Sequence, residues 1–366
     1  VSSQPSPMRS RRSLGPQRVA VTRATSAVGS VLVRELATAG DRVVGLDTRA
    51  GTQGDVDWRL TDITSPSVVT ALSDVDVVVH LGDEANLAAA LDEQPALRRS
   101  RLIREVQTVT TAAAASGVEH LIVITSAMVY GAREDNPVPL QEDSALRAGD
   151  TEGIVADLVE VEQLLEKARS VHPGLRITSV RPAALVGPGL DTMVSRHFEA
   201  PRLLTLRGRE PAWQFCHVED LATGVSIVAK EELPAQVAVA SWGHLSQAEV
   251  EEISGMRSVE MSPSAAHSAA ERLHRVGVVP LPSSDLAYVS YPWVVAPESL
   301  AVHGWYPAYD NSTALSILLA EISGHHAVMA RRVERREAAI GAAGAVSAAV
   351  AVAATAALMR RHRKRG

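Results

Sequence analysis

Aromatic residues make up only 3% of this 366-residue chain, so its core has to be assembled from Ala, Val, Leu and Ile. The single cysteine, Cys216, excludes an intramolecular disulfide framework and a cysteine-rich zinc site, no metal is expected, and a reducing cytoplasm is the simplest setting. Lysine stands only at Lys167, Lys230 and Lys364; this scarcity beside abundant Arg, Ala and Val is the composition of a GC-rich bacterial genome. A net charge of −6 excludes a surface given over to nucleic acid, and no nucleic-acid partner is expected. Residues 1–17 hold no apolar run, whereas a secretory signal needs roughly 7–15 such residues; their Ser, Pro and Arg predict a disordered arm. What remains, at 46% hydrophobic and 21% charged residues, is an ordinary globular balance with ample material for a core.

Order begins at Arg18. Short continuous apolar runs at Val19–Val21, Val43–Asp47, Val75–His80, Leu121–Ile124 and Arg176–Val180 predict buried strands. Between them, amphipathic stretches at Val28–Ala39, Arg98–Ser116 and Ile154–Arg169 predict helices, the first ended by Gly40. Apolar strands alternating with helices predict an α/β fold, a doubly wound parallel sheet of the Rossmann type over 18–180. Beyond Arg181 the rhythm breaks and proline is frequent, which predicts a smaller C-terminal lobe over 181–330.

A strand, a tight turn and a helix N-terminus form a natural pyrophosphate site, because unpaired N–H groups and the helix dipole both favour anions. Thr22-Arg23-Ala24-Thr25-Ser26-Ala27-Val28-Gly29 has that setting. Asp47 closes the second strand, where a carboxylate can hold ribose hydroxyls. Thr125-Ser126-Ala127-Met128-Val129-Tyr130-Gly131 follows the fourth strand directly. Val180-Arg181-Pro182 leading to Gly187-Pro188-Gly189, Phe215-Cys216-His217-Val218-Glu219-Asp220, and Gly304-Trp305-Tyr306-Pro307 come later, in that order.

Together these segments resemble the extended short-chain dehydrogenase/reductase family, the NAD-dependent epimerases and dehydratases, from about Arg18 to Tyr309. The resemblance implies a dinucleotide held by Thr22, Arg23, Thr25, Ser26, Ala27, Val28 and Gly29, by Asp47, and by Asp62 and Ile63 at the adenine. Of the loop's three glycines only Gly29 survives. Arg23, at a glycine position, either pairs with phosphate or fills the cofactor's place. Asp47 favours NAD, and nearby Arg49 leaves NADP open. Asp62 is equally well placed as a helix cap.

For chemistry, the resemblance implies Ser126 as the catalytic serine and a Tyr–Lys pair one helical turn apart. Aligning the helix puts Ile154 and Leu158 at those positions, and no tyrosine in the chain has a lysine four residues later. Catalysis is therefore lost, or carried by a relocated acid/base such as Asp157, Glu160 or His172, or the protein is a scaffold that binds no dinucleotide. The family acts mainly on nucleotide sugars, which assigns Tyr130, Arg196 and Arg207 to such a ligand, with Arg202 and Arg209 as further phosphate candidates. Trp213 stands where the family often has a diphosphate-binding arginine. His217 and Asp220 read as structural. Family members often dimerise through a four-helix interface, which the helices at Arg98–Ser116 and Ile154–Arg169 would form here.

Finally, residues 331–337 are charged and Ala338–Met359 runs 22 residues without a charge before a terminal cluster of Arg360, Arg361, Arg363, Lys364 and Arg365. As a helix that run measures about 33 Å, enough to cross a bilayer core, although Ala drives insertion weakly. Residues 331–366 thus predict a basic-flanked helix in contact with a membrane, leaving the protein cytoplasmic, at the inner face, or C-terminally anchored.

Overall fold

The computed structural model describes residues 15–82, 85–148, 153–275 and 283–323. Nearly all of the expected N-terminal arm and the whole apolar tail at 338–359 lie outside these residues. Among the described residues, no helix is long and apolar enough to cross a membrane.

The first half runs β1 (Arg18–Thr22), α1 (Ala27–Thr38), β2 (Arg42–Asp47), β3 (Asp57–Leu60), α2 (Val68–Ala71), β4 (Val77–Leu81), α3 (Leu87–Asp92), α4 (Pro95–Ser116), β5 (His120–Ile124), α5 (Gly153–Val171) and β6 (Arg176–Pro182). The second half is more finely divided. It holds β7 (Ala184–Val186), α6 (Met193–Glu199), β8 (Leu203–Leu206), β9 (Ala212–Trp213), β10 (Phe215–His217), α7 (Val218–Lys230) and β11 (Gln236–Val239). After these come β12 (Leu245–Ser246), α8 (Gln247–Ser254), β13 (Ser258–Met261), α9 (Pro263–Arg275) and α10 (Glu298–Val302).

Seven strands form one parallel sheet in the order β11-β6-β5-β4-β1-β2-β3. The central strands β4 and β5 are buried along their whole length, as expected where helices cover both faces. The edge strand β3, Asp-Trp-Arg-Leu, is exposed at both ends, so no apolar run marks it in the sequence. The sheet also does not stop at Val180. β11 returns from the second half to pair with β6, in register Val237 with Val180, so the boundary expected at 180/181 divides one sheet. The smaller lobe carries three two-stranded ladders, β7 with β10, β9 with β12 and β8 with β13.

From β1 the chain passes through α1 to β2 on one side, while β4 lies on the other. This reversal opens a crevice at the carboxyl ends of β1 and β4, where ligands of such sheets bind. On one face α4 and α5 lie side by side, joined by Arg98 Nε donating to Asp157 Oδ2 at 2.8 Å.

Candidate functional site

The turn after β1 is closed by the Ser26 N–H donating to the Arg23 carbonyl at 2.9 Å, and Ser26 Oγ then caps α1 by accepting from Gly29 N–H at 3.0 Å. A β-carbon on Gly29 would lie 2.2 Å from the Arg23 carbonyl oxygen, so only glycine lets the helix start this close to the strand. We expect Gly29→Ala to force the loop off α1 and lower stability by about 1–3 kcal/mol, read from urea unfolding. An unchanged midpoint would show that the loop moves aside freely. The N–H groups of Ala27 and Val28 have no partner among the described residues and form the anion-facing end of α1.

Arg23 departs from a loop glycine in both backbone and side chain. Its backbone sits in the left-handed region at φ 51°, a conformation costing a non-glycine residue roughly 1–2 kcal/mol. Its side chain crosses the end of β4, donating to the Leu81 carbonyl at 3.3 Å and pairing with the buried Glu105 carboxylate on α4. The guanidinium is thus committed to Glu105, which also accepts from Arg101 at 3.0 Å.

At β2, Asp47 accepts from the Thr25 N–H at 2.9 Å, the Thr25 hydroxyl at 2.7 Å and the Thr48 N–H at 2.7 Å. Burial alone would raise its pKa, but these bonds hold the carboxyl below its usual range. Arg49 Nε donates to the same Thr25 hydroxyl at 3.2 Å. Asp62 accepts from the Thr64 N–H and hydroxyl, each at 2.8 Å, and so caps the turn ahead of α2, while Ile63 is buried. Thr22 lies beneath the loop, its hydroxyl accepting from Leu81 N–H at 3.1 Å and lying 3.0 Å from His80 Nδ1.

These features fit a dinucleotide at the Gly29 cradle, the N-terminus of α1 and Asp47. They depart from it at Arg23, whose charge is directed to Glu105.

Ser126 follows β5 and caps a 3₁₀ turn over Ala127–Tyr130, its Oγ accepting from Met128 N–H at 3.2 Å. Beside it lies a cavity of about 80 Å³ at the carboxyl ends of β5 and β6. Ile154 and Leu158 both line it, with Met128, Leu185, Met193 and Trp293. The structure therefore brings together Ser126 and the two residues at the Tyr–Lys positions, and the wall they form is apolar.

None of the candidates for a relocated acid/base lines this cavity. Asp157 is buried and held by Arg98 and by Arg99 at 2.9 Å. Glu160 pairs with Arg99 at 3.3 Å on the exposed face of α5, and His172 lies beyond that helix's end. Asp191 does line the cavity. Burial would raise its pKa, but two 2.7 Å bonds from Arg196 and one from the Ala88 N–H keep it lowered, away from a value suited to proton exchange near neutrality.

The expected ligand contacts are dispersed. Tyr130 is fully buried; its hydroxyl donates to the Glu142 carbonyl at 2.7 Å and accepts from Arg181 at 3.0 Å, so this ring supports the loop and does not face the cavity. Arg196 is bound to Asp191, and Arg207 is exposed, 3.6 Å from Glu260. Arg209 pairs with Glu134 and lies over the Tyr291 ring. Trp213 is buried, stacked on His197 with ring centroids 5.2 Å apart. His217 caps α7, and Asp220 accepts from the N–H groups of Ala308 and Tyr309, which docks the Gly304–Pro307 segment. Glu105, Asn86, Asp191 and Trp293 carry no sequence signal, since they reach the cleft only through the fold. Among the described residues, no group of three His, Cys, Asp or Glu side chains could hold a metal.

Residues 19–240 match the family described as NAD dependent epimerase/dehydratase. An uncharacterized protein of Mycobacterium tuberculosis is 27% identical over 215 residues, covering 56% of this chain and 57% of its own length, so the match spans little more than half of that relative. Among solved structures, the UDP-glucose 4-epimerase of Thermus thermophilus in complex with NAD superposes with a TM-score of 0.63 at 19% identity, over 84% of this chain and 99% of that one. The UDP-N-acetylglucosamine 4-epimerase of Methanobrevibacter ruminantium, in complex with UDP-N-acetylmuramic acid, gives 0.64 at 16% identity, over 85% and 100%. At these identities the two structures establish the fold.

Proposed function

The chain belongs to the NAD dependent epimerase/dehydratase family, and from that premise we propose that it binds NAD without performing the family's acid/base chemistry. The observation that carries this reading is the cavity beside Ser126, where Ile154 and Leu158 stand at the two positions from which the family exchanges a proton with its substrate. Gly29, the free end of α1 and the Asp47 carboxylate support retention of the dinucleotide. Asp47 would repel the 2′-phosphate of NADP, which favours NAD. When bound, NAD would supply a hydride acceptor; the chain's own part is to seat it, with Ser26 shaping the helix end and Asp47 taking the ribose hydroxyls.

The full chain, melted with NAD, NADH, NADP and NADPH in turn, tests this. A ligand at a hundredfold excess over its Kd stabilises the folded state by about 2.7 kcal/mol. We expect a clear rise with NAD, a smaller one with NADP, and no turnover of UDP-glucose. Turnover would establish a relocated acid/base. No rise at millimolar NAD would favour a scaffold whose cleft is closed by the Arg23–Glu105 pair, and Arg23→Gly would then be expected to gain binding.

A nucleotide sugar is the less supported ligand, because Trp213 is buried among aromatic rings and Arg196 is held by Asp191. As partners we propose a second copy of the chain through α4 and α5, and a membrane surface through the tail. Sedimentation as a monomer at high concentration would refute the first. Failure of the full chain to pellet with anionic vesicles would refute the second.

A further inference from the structure

The cavity at Ser126 has a composition that selects among ligands. Its wall is built from Ile154, Leu158, Met128, Met193, Leu185 and Trp293, and its few polar groups are mostly engaged. Thr192 Oγ1 accepts from Ser195 N–H at 3.1 Å, Asn86 Oδ1 accepts from Ala89 N–H at 3.2 Å, and Thr125 donates to Glu162 at 2.6 Å. The Asp191 carboxylate is bound by Arg196. Ser126 differs. Its oxygen accepts from Met128, but its own proton has no acceptor among the described residues.

A sugar ring brought here would bury several hydroxyls against carbon, and each one left unpaired costs the full price of its desolvation. An apolar group of a few carbons would instead gain from leaving water, and a cavity walled by carbon takes such guests readily. One acceptor oxygen on that group would satisfy the Ser126 proton.

We propose that this cavity receives an aliphatic group bearing a single carbonyl-type oxygen, with Ser126 donating to that oxygen, and that it excludes sugars. This rests on the reading that the cavity is the ligand end of a non-catalytic cleft. It changes the class of ligand expected there, from polyhydroxylated to lipophilic.

The test uses methyl-labelled methionine in the full chain, whose seven methionines include two, Met128 and Met193, on the cavity wall. Cyclopentanone serves as the probe and UDP-glucose as the contrast. We expect cyclopentanone to shift the Met128 and Met193 methyl signals saturably while the other methionines stay in place, and UDP-glucose to move neither. Ser126→Ala should weaken the cyclopentanone response about fivefold, the factor expected for one neutral hydrogen bond. Ile154→Phe, which puts a larger side chain on the lining, should abolish it. Absence of any saturable shift with cyclopentanone, or a saturable shift with UDP-glucose, would overturn the proposal. Unchanged affinity in Ser126→Ala would overturn the role of the serine. NAD melting on the same sample separates the two readings. A ketone response without NAD stabilisation refutes the cofactor reading alone, and NAD stabilisation without a ketone response refutes this one alone.

Discussion

Replacing Glu162 by alanine is expected to lower stability by about 3–5 kcal/mol, the cost of leaving one member of a buried ion pair without its partner. Glu162 and Arg181 are almost completely buried and meet in two bonds, Nη2 to Oε2 at 2.7 Å and Nε to Oε1 at 3.0 Å. The Thr125 hydroxyl adds a third at 2.6 Å, and Arg181 reaches on to the Tyr130 hydroxyl at 3.0 Å. The network thus ties α5, β6 and the end of β5 around Ser126. Burial alone would raise the Glu162 pKa, but Arg181 and Thr125 hold it lowered. A depressed carboxyl stabilises the fold above its unfolded pKa, and that contribution is lost only as pH falls through the lower folded value. The loss should therefore be fully visible in urea unfolding at pH 7. Replacing both partners by methionine should cost less than Glu162→Ala alone, because no charge is then left stranded. A single substitution costing under about 1 kcal/mol would show that water enters this site freely.

The second large effect is acid lability. Burial holds three histidines neutral well below their ordinary range: His80 at about 3, His120 at about 3 and His197 at about 4. Arg23 beside His80 and Arg176 beside His120 push in the same direction. Each ring has a partner that suits the neutral form or no partner at all. His120 Nδ1 accepts from Arg176 at 2.9 Å, and His197 Nε2 is buried without a hydrogen bond. In the unfolded chain all three bind a proton below about pH 6.5. The unfolded state then carries three protons that the folded state lacks, so stability falls as pH drops from about 6.5 toward 4. The gradient is at most about 4 kcal/mol per pH unit, at roughly 1.4 for each histidine.

Asp285 acts in the opposite sense. Burial raises its carboxyl to about 7, although a hydrogen bond from Ser284 and the charge of Arg98 pull it down. The folded state therefore holds one more proton between about pH 4 and 7. Stability from this group falls as pH rises through that window. Glu142 and Asp220, also raised by burial, add to the offset at its acid end. Urea unfolding near pH 5 should show a net uptake of about two protons on unfolding, and Asp285→Asn should increase it to about three. The same variant should be more stable than the parent at pH 8 and nearly equal at pH 4. A net release of about one proton in the parent near pH 5 would mean that the three rings are protonated in the folded state.

The parallel sheet, the loop at Gly29 and the Ser126 strand end were legible from local pattern, because each depends on residues adjacent in the chain. Buried strands such as Leu121–Ile124 declare themselves by continuous apolar runs, and the missing Tyr–Lys pair is visible by spacing alone. β3 and β11 were not legible. β3 is an edge strand with little to bury, and β11 has only four residues whose partner, β6, lies 54 or more residues earlier.

Side-chain destinations were least legible of all. Arg23 was identified as anomalous from its place in a glycine loop, but its partner Glu105 lies 82 residues away on α4. Tyr130 and Arg196 have the residue types of ligand contacts, and packing assigns them to Glu142, Arg181 and Asp191 instead. The sequence by itself determined the family, the fold class and the absence of a tyrosine with lysine four residues later, since these reside in local order and spacing. Only the tertiary structure decided which partners hold Arg23, Arg196 and Asp191 and that Ile154 and Leu158 line the space beside Ser126 with Met128, Met193 and Trp293. A charge is neutralised, and a cavity enclosed, by residues distant in the chain that meet only when the sheet and the smaller lobe close together.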